Sequence, residues 1–115
     1  MAGLSVSVSA QASVEGPFTV VSLTGEADAS CRELAPALAA LAAERPALLI
    51  VDLSGLRFID SWALHTVLRT ARDLRKAGSA VALAGPQAPV ARILELAGAD
   101  RVFPVHRSVQ EAVGR

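Results

Sequence analysis

Leu4, Val6 and Val8 alternate with Ser5, Ser7 and Ser9 at the start of the chain, the period-two pattern of a strand with one face in solvent. The next segment, "PFTVVSLTGEAD", carries Phe18, Val20, Val21 and Leu23 before a glycine-acid turn, and predicts a second strand ending near Gly25. Together they predict an opening antiparallel hairpin. After Ala29, "SCRELAPALAALAAERP" is dense in helix formers, with Ser30 or Asp28 as the cap and Pro46 as the stop. Pro36 fits this helix only in its first turn or two, or at a kink. "ALLIVDLSG" then opens with an unbroken apolar run over 47–51, typical of a strand covered on both faces or central in a sheet.

From Ser61 the pattern switches to a helical period that runs to Gly78, a left-handed stop with Arg75 and Lys76 near the negative end of the helix dipole. "SAVALAG" predicts a strand, "APVARILELAG" a short helix, "RVFPV" a last weak strand and "SVQEAV" a closing helix. Strand and helix alternate, so the expected fold class is α/β with parallel crossovers. In the helix from Ser61, Leu64, Val67, Leu68, Ala71 and Leu74 fall on one stripe that should face the sheet. Trp62 lies opposite, beside His65, Arg69, Asp73 and Lys76. The single tryptophan of the chain is thus expected to point outward, either as an interface anchor or under a loop that folds over it.

The chain has 115 residues, 52% of them hydrophobic, which suits one domain with a true core. Basic and acidic residues number 11 each, so nothing in the overall charge attracts nucleic acid or an anionic membrane. Residues 1–55 are net acidic and the remainder net basic, either as a neutral accident of composition or as a charged docking face. Cys31 is the single cysteine, so no internal disulfide forms, and no Cys/His cluster has metal-ligand spacing. The start of the sequence does not read as a signal peptide, and its uncharged runs are too short or too interrupted to span a bilayer. The expected location is the cytoplasm.

Asp60-Ser61-Trp62 places a hydroxyl at the mouth of a helix directly after a buried strand. Serine there is a favoured helix cap, and capping does not exclude modification. A phosphate at a helix N-terminus agrees with the dipole, so it can change what docks there while leaving the fold intact. Ser61, His65 and Asp60 also contain a nucleophile, a base and an acid, but the G-x-S-x-G elbow is absent and nothing marks an oxyanion hole or a second orienter. The chain is therefore expected not to be an enzyme. Gly55, Gly78, Gly85 and Gly98 read as isolated turn or cap glycines rather than a phosphate loop, so no cofactor is expected. Asp52 follows a buried strand without a second carboxylate motif beside it, and His106 reads as a loop or capping residue.

"VDLSGLRFIDSWAL", then "RKAGSAVALAG" and "LELAGADRVFPVHRSVQEAV", resembles the STAS domain, the fold of sulfate transporters and anti-sigma-factor antagonists, from about Phe18 to Val113. The resemblance implies a single STAS-like domain over residues 1–115, with a mixed four- or five-stranded sheet and helices mainly on one side. It implies a stand-alone antagonist that binds an anti-sigma factor, itself a serine kinase of the histidine-kinase-like ATPase class. The kinase would phosphorylate Ser61 and so release itself, and a serine phosphatase would restore binding. Asp60, Trp62, Leu64 and His65 would lie in the docking surface, bordered by Asp28 and Ser54. Family members often follow the Asp-Ser pair with a small polar residue and glycine, whereas this chain has Trp62 and Ala63, which changes the surface at the point of docking. The alternative is a non-switching STAS scaffold or an accessory subunit of a larger assembly, such as a stress-sensing complex or a lipid transporter. A homodimer through the exposed tryptophan is a further option.

Overall fold

The computed structural model describes residues 3–114, and its five strands form one sheet whose order follows the chain. Strands β1 (Leu4–Ser13) and β2 (Gly16–Ala27) pair antiparallel, while β3 (Leu48–Ile59), β4 (Ala80–Ala84) and β5 (Val105–His106) follow in parallel. The sheet is mixed, as a hairpin followed by helical crossovers requires. Helix α1 (Leu34–Glu44) joins β2 to β3, and α2 (Ser61–Lys76) joins β3 to β4. Helix α3 (Ala88–Leu96) and a 3-10 turn (Ala99–Arg101) lead to β5, and α4 (Val109–Val113) closes the fold.

The helices are divided unequally between the faces. Leu34, Leu38 and Leu41 of α1, the Leu68 stripe of α2 and Leu94 of α3 share one core with the alternate residues Val21, Leu23, Leu49 and Val51 of the strands. On the opposite face only α4 contributes, through Ala112 against Phe18, Val20, Ile50 and Ala82. Covering both faces explains why residues 49–51 of β3 read as an unbroken apolar run. Among the described residues, no helix is long and apolar enough to cross a membrane.

Helix α2 ends as its sequence predicts. Gly78 adopts φ 105°, its N–H donates to Arg75 O (3.1 Å), and the Ser79 N–H donates to Leu74 O (2.9 Å). This pair of bonds satisfies the last carbonyls only because a residue without Cβ can take the left-handed turn. Pro36 is the third residue of α1, where its missing N–H would have had no partner within the helix.

Several boundaries differ from expectation. β2 runs on to Ala27 rather than stopping near Gly25, and β3 runs through Gly55 to Ile59. Register shifts between Ser22 and Thr24, and again between Gly25 and Glu26, let the two strands bend together and stay paired beyond β4. Gly55 is therefore a strand residue and not a turn: an added Cβ would stand 2.9 Å from Thr24 Oγ1. Neither Asp28 nor Ser30 caps α1, which starts only at Leu34 and has Glu33, without a side-chain bond, at the capping position. The last strand is reduced to Val105–His106, since Val102 ends the 3-10 turn and Phe103 turns into the core. His106 is thus a strand residue, half-buried, with its Nδ1 3.8 Å from Glu111 Oε1.

Candidate functional site

Strands β2 and β3 are parallel neighbours and end level, with Ala27 opposite Ile59, so the loops that follow them meet. Asp60 holds the junction. Its backbone is extended (φ −90°, ψ 175°), and its N–H donates to Ala27 O at 2.9 Å. Its Oδ1 accepts the Ala63 N–H (2.8 Å), which caps α2, and its Oδ2 accepts the Ala29 N–H (3.0 Å) of the neighbouring loop. One carboxylate therefore satisfies an orphan donor of the helix and pins the loop beside it.

This geometry corrects the expectation that Ser61 caps the helix. The capping position is the extended residue before the first helical one, and that residue is Asp60. Ser61 is the first residue of α2 and is exposed, so its hydroxyl is not committed to the cap. Trp62 is 39% exposed, and His65, Arg69, Asp73 and Lys76 are exposed along the same helix, as the angular count predicts. Leu64 is only 9% exposed and belongs to the core. Its side chain packs with the core cluster, so the exposed part of the start of α2 is made by Ser61, Trp62 and His65.

Asp28 lies in the pinned loop and folds back on it. Its Oδ1 accepts the Ser30 hydroxyl and the Ser30 N–H (2.9 Å). Those bonds, the hydroxyl first, hold its carboxyl below the usual carboxylate range. Ser54 lies elsewhere. It lines a cleft of about 360 Å³ on the α4 face of the sheet, with Ser22, Asp52 and Arg107, rather than bordering Ser61. Asp52 there accepts from the Ser54 N–H (3.0 Å) and the Ser22 hydroxyl (3.3 Å). The structure thus brings Asp28, Asp60, Ser61, Trp62 and His65 to one end of the sheet, with Leu64 beneath them in the core, and leaves Ser54 out.

Phe58 is a residue that sequence reasoning passed over. It is 46% exposed, three positions before Ser61, and pairs in register with Glu26. Two exposed aromatic rings therefore flank the serine in the chain. The signal was present in "RFID", but only a strand continued past Gly55 makes Phe58 a β3 residue. A hydrolytic arrangement is not assembled, because both oxygens of Asp60 are taken by backbone amides and Asp60 does not orient His65. Among the described residues, no group of three or more His, Cys, Asp or Glu is gathered for a metal ion.

The sequence model of the STAS domain matches residues 9–112. Rv2638 of Mycobacterium tuberculosis, named as a candidate anti-anti-sigma factor, is 36% identical over 77 residues, 67% of this chain and 52% of that protein. The chain thus spans about half the length of that relative. An anti-sigma factor antagonist from Mycobacterium paratuberculosis superposes with a TM-score of 0.73 at 28% identity, over 96% of this chain and 92% of that one. The Bacillus cell fate determinant SpoIIAA in its phosphorylated form shares the fold, with a TM-score of 0.71 at 18% identity over 96% and 98% of the two chains. With the family model spanning most of the hairpin, the parallel strands and their helices, the chain belongs to the STAS domain family.

Proposed function

We propose that this protein is an anti-sigma factor antagonist switched at Ser61. In this reading its partner is an anti-sigma factor that is also a serine kinase of the histidine-kinase-like ATPase class, and both act in the cytoplasm. Unmodified, the antagonist holds the kinase and so frees the sigma factor; phosphorylated on Ser61, it lets go, and a serine phosphatase resets it. The observation that carries the proposal is the division of labour at the helix mouth. Asp60 supplies the cap, so the Ser61 hydroxyl stands exposed at the first helical position beside an exposed tryptophan. The mycobacterial relatives named as antagonists support the same direction.

A phosphate on Ser61 would add about −1.5 to −2 charges at the positive end of α2, where the helix dipole favours them. Asp60 opposes that charge at short range, but the repulsion is screened because Ser61 is in water. The fold therefore survives modification, and the effect falls on whatever docks across Ser61, Trp62 and His65, with Asp28 at the border.

Trp62 favours one alternative, a constitutive binding subunit, because a bulky ring beside the serine alters the surface a kinase must approach. Mass analysis of the protein recovered from growing and from stressed cells separates the two, with Ser61→Ala as control. A phosphate on Ser61 whose occupancy changes with growth state, and a captured partner lost on Ser61→Asp, are the expected results. An unmodified Ser61 in every state, with a complex that survives Ser61→Asp but not Trp62→Ala, would overturn the switch and leave the constitutive subunit.

A further inference from the structure

β1 is an edge of the sheet, with β2 as its one hydrogen-bonded neighbour among the described residues. In an antiparallel pair, alternate residues turn their N–H and C=O groups away from the partner strand, so the outer side of β1 presents a row of backbone donors and acceptors. Proteins ordinarily blunt such an edge by shortening it, by charging it, by inserting proline or a bulge, or by covering it. The far edge of this sheet is blunted in that way: β5 is two residues long, sits between Pro104 and Arg107, and packs with α4.

β1 carries none of these devices. It is ten residues long, "LSVSVSAQAS", without a charge or a proline. Its register with β2 is unbroken from Leu4 opposite Gly25 to Ser13 opposite Gly16, so no bulge twists it away. Residues 7–12 are all exposed, and Val8 retains 49% of its surface.

The pattern also specifies what fits. Every even position from Leu4 to Ala12 is apolar, and every odd position from Ser5 to Ser13 is polar. The even stripe lies on the α1–α3 face, where Leu4 and Val6 already touch the core, and the odd stripe lies on the α4 face, where Ser9 and Gln11 line the cleft. A two-fold axis perpendicular to the sheet, beside Val8, would set Val8 against Val8, Val6 against Ala10 and Leu4 against Ala12. On the other face it would set Ser7 against Ser9 and Ser5 against Gln11. Like meets like on both faces, no charge opposes another, and a formal net charge of zero gives the copies no long-range repulsion.

We propose that β1 is the seat of a homodimer, in which two copies pair their β1 edges antiparallel to make one continuous ten-stranded sheet. The interface is isologous, as two-fold pairing requires. It lies two strands away from β3, so it leaves both Ser61 sites open, and it stands or falls independently of the switch.

Sedimentation of the purified protein over a wide concentration series tests it, with Val8→Lys as the first variant. That side chain is already half in water, so the fold should be kept, which an unchanged thermal midpoint would verify. The expected result is a mass that rises from one chain to two, and a dissociation constant about tenfold or more weaker for Val8→Lys, since two lysines would then face each other. Mixing Val8→Lys with Val8→Glu should restore the dimer, a rescue that damage to the monomer would not give. A wild-type chain that stays single at every concentration, or a dimer indifferent to Val8→Lys but lost with Trp62→Ala, would overturn the proposal.

Discussion

Asp28 and Asp60 each follow the last residue of one of two adjacent parallel strands, yet only Asp60 starts a helix. Asp28 spends its carboxylate on its own loop, at Ser30, and α1 does not begin until Leu34. Asp60 reaches in two directions, to Ala63 in its own helix and to Ala29 in the other loop. The start of α1 is accordingly held from below, by a Leu34 that is fully buried, whereas the start of α2 is held from the side, by a half-exposed carboxylate. A helix mouth fixed by a side-chain cap keeps its first residue in solvent and rigidly placed, which is what a modifiable serine needs. One fixed by core burial has no such residue to offer.

The sharpest way to break this comparison is to remove the buried anchor. Leu34→Ala should cost about 2–5 kcal/mol in denaturant unfolding, because a truncated core leucine loses both its burial and the packing around it. The short turn bonds, Cys31 N to Asp28 O and Leu34 N to Cys31 O, and the first helical bond, Ala37 N to Glu33 O, would then hold the start of α1 with Leu38 still buried behind it. A loss below about 1 kcal/mol would mean that those turns, and not the core, place the helix.

Asp60→Ala should cost less, about 1–2 kcal/mol, the usual worth of a helix cap. Its distinguishing mark is where the damage appears. Amide exchange should accelerate at Ala63 and Ala29 together, since one carboxylate serves both, while Asp28→Ala should leave Ala63 protected. Asp60→Asn should fall between, because an amide can accept at only one of the two places. Acceleration at Ala63 alone would show that the loops are not tied.

Much of this was legible in the chain. Period-two alternation marked β1, the apolar run marked β3 as a central strand, and the wheel of α2 separated Leu68 from Trp62. The antagonist motif "VDLSGLRFIDSWAL" pointed to the helix mouth. What the sequence could not disclose depended on contacts between segments far apart. The bulges that carry β2 and β3 past Gly55 arise from their mutual packing at Thr24, and they are what make Phe58 a strand residue. Whether Asp60 or Ser61 caps α2 turns on a bond to Ala27, thirty-three positions away, that extends the ladder by one residue. The resemblance implies Ser54 as a loop residue bordering Ser61, but with β3 continued to Ile59 Ser54 lies inside the strand, seven residues before Ser61, and lines the cleft on the α4 side.

The smallest expected effect is a pH dependence contributed by Asp28. Asp28 has a folded-state pKa below its ordinary value of 3.8, chiefly through the Ser30 hydroxyl and next through the Ser30 N–H. A depressed carboxylate contributes stability that is fully present above the unfolded value and is lost as pH falls through the lowered, folded one. Unfolding measured at steps of pH across that acidic window should therefore show wild type losing a small increment that Asp28→Asn never had, so that the two curves converge on acidification. Ser30→Ala removes the largest cause and should narrow the window from its acidic side, while Ala63 keeps its protection throughout. If wild type and Asp28→Asn keep a constant separation across the window, the Asp28 carboxylate is not bonded to Ser30. The loop would then owe its shape to the Asp60 carboxylate on Ala29 and the backbone turn from Cys31 N to Asp28 O.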